Sequence, residues 1–93
     1  MSDNTKVNKV LEDDYRVAQQ LIGKKFRHYK GNIYRVACVG IHTDNIEVLV
    51  GYHALKDSSL IWFRPFSQWF EIVNYKIDET RMSSTRRFVP IKD

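Results

Sequence analysis

Two short runs hold the residues best suited to chemistry in this chain: Arg27-His28-Tyr29-Lys30 and Trp62-Phe63-Arg64-Pro65. An arginine can fork onto a phosphate or carboxylate with two parallel N–H donors, and a neighbouring tyrosine or tryptophan can stack on a flat ring. Alternate side chains of a strand share a face, so Arg27 and Tyr29 are expected on one side and His28 and Lys30 on the other. A plainer reading makes Tyr29 a core residue and Arg27 half of an ion pair. Arg64 lies in an otherwise apolar run, where an unpaired charge is costly to bury. It is expected either to clamp an anion beside an aromatic shelf or to pair with Glu47, Asp57 or Glu71. Tyr29, Tyr34, Tyr52, Trp62, Trp69 and Tyr75 are many aromatics for 93 residues. Most must fill the core of so small a domain, which leaves few for a ligand surface.

Catalysis and metal binding find little support. His28, His42 and His53 have spacings that match no metal motif, and Cys38 has no second thiol. Cys38 stands in an apolar stretch and reads as an inert core thiol, not a nucleophile. Neither a phosphate-cradling glycine loop nor a G-x-S-x-G turn is present. The expectation is a protein that is not an enzyme and needs no cofactor.

These residues have to be positioned by the elements around them. Val7, Val10, Leu11, Val17, Ala18, Leu21 and Ile22 recur at helical spacing, with Tyr15 at the edge of the stripe. Asn4 or Thr5 can cap the start, and Gly23 suits the left-handed residue after the end. From Lys24 the period changes to that of strands. Segments 24–29, 33–41, 46–54 and 60–64 read as strands, separated by turns at Lys30-Gly31-Asn32, Thr43-Asp44-Asn45 and Lys56 to Ser59. In the third strand Ile46, Val48, Val50, Tyr52 and Ala54 alternate with the intervening residues and should face the core. Pro65 stops the fourth strand or marks an edge. Phe66 to Phe70 suits one helical or 3₁₀ turn, Ile72 to Ile77 a further strand, and Arg87 to Ile91 a last short one. Residues 78–85 read as a polar, mobile loop.

Chain length allows one domain, divided into an N-terminal helix over 1–22 that packs on a small β-barrel domain over 23–93. The charge is uneven. Residues 23–42 hold Lys24, Lys25, Arg27, Lys30 and Arg35 with no acid, and 81–93 are also basic, while 43–80 are acidic. Such asymmetry suits an anionic partner, although charge runs are commonly just solvated faces. No apolar run is long enough to span a membrane, the N-terminus is unlike a secretory signal, and a lone cysteine suits a reducing compartment. A cytoplasmic location is expected.

The run from Gly23 to Val36, Gly-Lys-Lys-Phe-Arg-His-Tyr-Lys-Gly-Asn-Ile-Tyr-Arg-Val, resembles a bacterial family of unknown function, DUF1653, whose members read G-x-x-Y-R-H-Y-K-G-x-x-Y-x-V there. The likeness continues through His42-Thr43, Glu47, Val50, Tyr52, Ala54-Leu55, Trp62-Phe63-Arg64-Pro65, Trp69-Phe70 and Arg87-Phe88. It covers residues 23 to about 91 and leaves out the helix. Phe26 stands where the family usually has tyrosine, Gly40 where it has alanine, and Trp69 where it has phenylalanine. Asp44-Asn45 replaces Glu-Thr. The resemblance implies a small SH3-like barrel and brings no activity or ligand.

Taken together, the expectation is a mainly-β chain: a five-stranded, SH3-like, partly open barrel behind one helix. The first functional reading is a module for an anionic ligand, a single-stranded nucleic acid or a nucleotide-like molecule. Arg27, Lys30 and Arg64 would meet phosphate, and Tyr29, Tyr34 and Trp62 would stack. The alternative is an adaptor that recognises a peptide or protein partner through its aromatic surface or its helix. The helix could also make a homodimer of what is otherwise a monomer. No membrane partner is expected.

Overall fold

The computed structural model describes the backbone over residues 5–92 and the side chains over residues 10–92. Helix α1 spans Thr5–Gln19. Its last turn tightens into i→i−3 bonds, with Leu21 N–H donating to Ala18 O at 2.9 Å and Ile22 N–H to Gln19 O at 3.2 Å. Gly23 then takes a φ of +87°, as its type predicts. Its N–H donates to Val36 O at 2.8 Å, which ties the end of the helix to the sheet. The caps expected from Asn4 or Thr5, and the side chain of Val7, lie outside the described residues.

The docking arc of α1 is narrower than its apolar stripe. Ala18 and Leu21 are buried, and Leu11 and Tyr15 pack against the core. Val10, Val17 and Ile22 are exposed. Residues 11, 15 and 18 fall four and three apart on one line, so Tyr15 is central to the contact and not marginal. Among the described residues no helix is long and apolar enough to cross a membrane.

Seven strands follow: β1 (Lys25–His28), β2 (Ile33–His42), β3 (Glu47–Ala54), β4 (Asp57–Pro65), β5 (Ile72–Asp78), β6 (Arg81–Arg86) and β7 (Phe88–Ile91). Five form one antiparallel sheet in the order β4-β3-β2-β1-β7, and β5 and β6 form a separate hairpin. The chain is thus mainly β, as expected, but the sheet does not close into a barrel. β4 and β7 remain its two edges. A 3₁₀ turn over Phe66–Gln68 follows Pro65, as the aromatic spacing there predicts.

Three segments differ from the sequence reading. Ile46, expected as an inward-facing strand residue, is the fourth residue of the β2–β3 turn, with φ +50° and half its surface exposed. The Nδ1 of His42 accepts the N–H groups of Asp44 and Asn45, and Ile46 N–H returns to His42 O at 2.8 Å, so the turn is wound up before the strand begins. β4 starts at Asp57, three residues early, because Leu55-Lys56 alone makes the turn. Ser58 and Ser59 look like turn residues because they are polar, yet they lie on an exposed strand. The expected mobile loop over 78–85 is in fact β6 and its turn. Asp78 accepts the N–H and hydroxyl of Thr80 and the Nε of Arg81, which closes a tight hairpin. The Thr80 amide first, then Arg81, hold the Asp78 carboxyl below the ordinary range.

Candidate ligand-binding face

Directly opposed residues of an antiparallel ladder point to the same side of the sheet, so the register sorts the candidate residues into faces. Tyr52 on β3 lies opposite Val36 on β2 and Trp62 on β4, and Val50 lies opposite Val39 and Arg64. Phe26 on β1 lies opposite Tyr34 and Pro90, and His28 lies opposite Phe88. Buried Phe26, Val36, Val50, Tyr52 and Phe88 identify this as the inner face, which α1 and the 3₁₀ turn partly cover. Tyr34, Trp62 and Arg64 therefore share one face, together with His28.

Arg27 does not join them. It pairs across from Ile33 and Val89, on the reverse side with Lys25 and Arg35, and its side chain is exposed. Phe26 fixes this outcome: once it is inward, its neighbour Arg27 must point outward. Tyr29 and Lys30 lie beyond the end of β1, in the turn that holds Gly31 at φ +110°. They stand at the rim of the inner face. The Tyr29 ring is 4.5 Å from His28 and 6.3 Å from Tyr75, and Lys30 Nζ lies 5.9 Å over the Tyr29 ring. Cys38 is also on the reverse side, half-buried opposite Gly51. A Cβ at Gly51 would stand 2.6 Å from its sulfur, so that close approach requires glycine. This thiol packs between strands of the outer face and not in the inner core.

Phe88 is the hub of the inner face. It stacks on Trp69 at 3.9 Å and meets Tyr52, Tyr34 and His28 edge-on at 5.5, 6.0 and 5.1 Å. The Arg64 guanidinium carbon lies 6.0 Å over the Phe88 ring. None of the three acids considered as partners for Arg64 reaches it. Glu71 is bound to Arg87 at 2.6 Å, Asp57 accepts from Ser59, and Glu47 accepts from Asn45. The hydrogen bond of Arg64 is to the neutral amide of Gln68, Nη1 to Oε1 at 3.3 Å, and its Nε is buried without a protein acceptor. Among the described residues this guanidinium has no carboxylate within ion-pair distance.

His28 completes the site, and sequence reasoning undervalued it. Its Nδ1 accepts the backbone N–H of Lys30 at 3.2 Å, which puts the proton of the neutral ring on Nε2. Burial lowers its pKa, and the charges of Arg64, Arg87 and Lys30 lower it further. Three cations thus surround a neutral imidazole, and among the described residues only Arg87 of the three has an acid beside it. The alternation that places Phe26 inward also places His28 inward, so this much was available from the sequence. Arg87 was not, because its position depends on the bend between β6 and β7. There its N–H donates to Glu71 O at 2.7 Å. A recess of about 410 Å³ opens beside Tyr34, between the Gly31-Asn32 and Leu55-Lys56 turns. His42 and His53 are elsewhere: His42 is committed to its turn, and His53 Nδ1 lies 2.9 Å from Ala54 O.

A family described as a protein of unknown function, DUF1653, matches residues 24–90, from the start of the sheet to its last strand. No curated protein and no solved structure matches the chain. With well over half of its residues inside that match, helix α1 excepted, the chain belongs to the DUF1653 family.

Proposed function

We propose that this chain is a non-catalytic binding module for an anionic ligand that carries a flat ring, as a nucleotide or single-stranded nucleic acid does. The observation that carries the reading is Arg64, a half-buried guanidinium with no carboxylate partner, set over an aromatic ring beside a neutral histidine. A charge in that setting is stabilised by an incoming anion, and arginine offers it two donors at once. Lys30 at the rim supplies a second positive charge. Trp62, more than half exposed on the same face, and Tyr34 and Tyr29 nearby offer rings for stacking. Arg27, on the reverse side, contributes only to the long-range field.

The sheet itself reads as an opened SH3-like barrel. Supporting this are a five-strand order in which the last strand returns beside the first, and a 3₁₀ turn directly after the fourth strand.

The test is fluorescence anisotropy with a labelled single-stranded oligonucleotide over a salt series. Binding is expected to weaken steeply as salt rises. Arg64→Ala should lower affinity by about 10-fold or more, the loss of a charged hydrogen-bonding group, and Trp62→Ala by a similar factor. Arg27→Ala should change it by less than about threefold, as for a remote charge. No binding at low salt, or equal losses from Arg27→Ala and Arg64→Ala, overturns the reading.

One observation favours a second reading, an adaptor for a protein partner. Leu60, Ile61, Trp62 and Phe63 are consecutive, apolar and exposed on the edge strand β4. That reading predicts weak salt dependence.

A further inference from the structure

We infer that the ligand of the inner face is an unpaired stretch of several nucleotides, not a free nucleotide, and that Tyr75 of the β5–β6 hairpin stacks on one of its bases. The inference rests on the anion-binding reading above and names the ligand class within it. Its ground is a succession of rings that leaves the sheet and ends on the hairpin. Trp62 on β4 stands opposite Tyr52 on β3, and Tyr52 lies 5.2 Å from Tyr34 on β2. From Tyr34 the centroids run 6.4 Å to His28 on β1, 4.5 Å to Tyr29 and 6.3 Å to Tyr75. Tyr52 is buried beneath this row, whereas the other five keep part of their surface in solvent, Trp62 56% and Tyr75 38%.

Core packing accounts for Trp69, Phe88 and Phe26, which are fully buried, but not for a second layer of half-open rings above them. Tyr34 and His28 rest edge-on against Phe88 at 6.0 and 5.1 Å, so the layer is held in place before a ligand arrives. One base has two faces and can meet two rings at most. A free nucleotide would therefore leave most of the row unused, while a strand of unpaired bases can occupy it ring by ring. The cations are spread in the same way. Arg64 is on β4, Lys30 lies 5.9 Å over the Tyr29 ring, and Lys56 lines the recess beside Tyr34. Separate positive groups suit successive phosphates better than one terminal phosphate. The hairpin is fixed against the row by its base, where Tyr29 N–H donates to Arg87 O at 3.0 Å and Arg87 N–H to Glu71 O at 2.7 Å.

Competition against the labelled oligonucleotide at low salt tests this, with thymidine monophosphate, an oligothymidylate of about eight nucleotides and a blunt DNA duplex as probes. The oligomer should bind about 100-fold more tightly than the monophosphate, as two further stacked bases supply. It should also outcompete the duplex, whose bases are stacked on one another and closed to the rings. Tyr75→Ala should weaken the oligomer about fivefold or more and the monophosphate by less than about twofold. Tyr75→Phe keeps the ring and should keep the affinity. Met82→Ala should also be silent, because Met82 pairs with Lys76 on the other face of the hairpin from Tyr75 and Ser83. A duplex that competes as well as the oligomer overturns the inference and leaves the anion-binding reading standing. So does an oligomer whose advantage is no more than its number of equivalent positions. Equal losses for oligomer and monophosphate in Tyr75→Ala, or none for either, overturn the part given to the hairpin. Absence of binding by every probe overturns the inference together with the reading beneath it.

Discussion

Ile46 holds a φ of +50°, where its β-branched side chain crowds its own backbone, and half its surface is in water. Glycine pays no such steric cost but gives up more chain entropy, so Ile46→Gly should stabilise by about 1 kcal/mol and raise Tm by roughly 4–8 °C. A lower Tm in a thermal melt would mean that the apolar surface it gives to the groove it lines with Val10 and Leu11 outweighs the strain. His28 gives a pH dependence. Its folded pKa lies below the ordinary value of about 6.5, so the unfolded chain takes up the proton more readily. The stability this residue contributes is complete above about pH 6.5 and is lost as pH falls through the lowered folded value. Denaturant titrations over that window should show a steeper acid loss in the native chain than in His28→Gln. Protonation also adds a positive charge beside Arg64, so oligonucleotide affinity should rise as pH falls, and His28→Gln should abolish that rise.

At the scale of elements, the β5–β6 hairpin is clamped at its base. Arg87 N–H meets Glu71 O at 2.7 Å, its guanidinium meets the Glu71 carboxylate at 2.6 Å, and Arg86 Nη1 donates to Phe70 O at 3.0 Å. The Arg87 side chain is only 19% exposed, so losing its partner leaves a largely buried charge unpaired. Glu71→Gln should cost about 1–2 kcal/mol, moderated by the half-exposed carboxylate. Amide exchange over residues 72–86 should rise more than exchange in β1 to β3. It should also tighten anion binding, since Glu71 neutralises one of the three cations around His28. A uniform rise in exchange across the chain would show that the clamp serves the whole fold. The legibility of elements followed burial. β3 could be read because its larger apolar residues Val48, Val50 and Tyr52, all buried, recur at a period of two. β6, Arg-Met-Ser-Ser-Thr-Arg, could not, because a hairpin without a buried face imposes no apolar period.

Across the whole molecule, the described core is organised about stacked Trp69 and Phe88, with Phe26 and Tyr52 edge-on to Trp69 at 5.4 and 5.2 Å. Trp69→Ala should cost about 3–5 kcal/mol, a large part of the roughly 5–14 kcal/mol expected for a chain of this length. The indole N–H is buried without a partner. Trp69→Phe removes that donor along with part of the ring and should cost under about 1.5 kcal/mol. Urea midpoints with unchanged slopes would establish this order, and equal losses from the two substitutions would refute it. The molecule measures 52 × 33 × 23 Å, elongated for its length, and the hairpin shares no ladder with the main sheet.

By itself the sequence determined the local structure: the helix and its Gly23 terminus, most strands, the 3₁₀ turn after Pro65, the mainly-β class and the family resemblance. Each follows from short-range periodicity, turn chemistry or a contiguous motif, all of which are written along the chain. Only the tertiary structure decided which chemistry shares a surface. It separated Arg27 from Arg64, gave Glu71 to Arg87, and brought His28 and Arg87 to the site. Ladder register and the inward turn of one phenylalanine set those choices, and they depend on pairings between residues far apart in sequence.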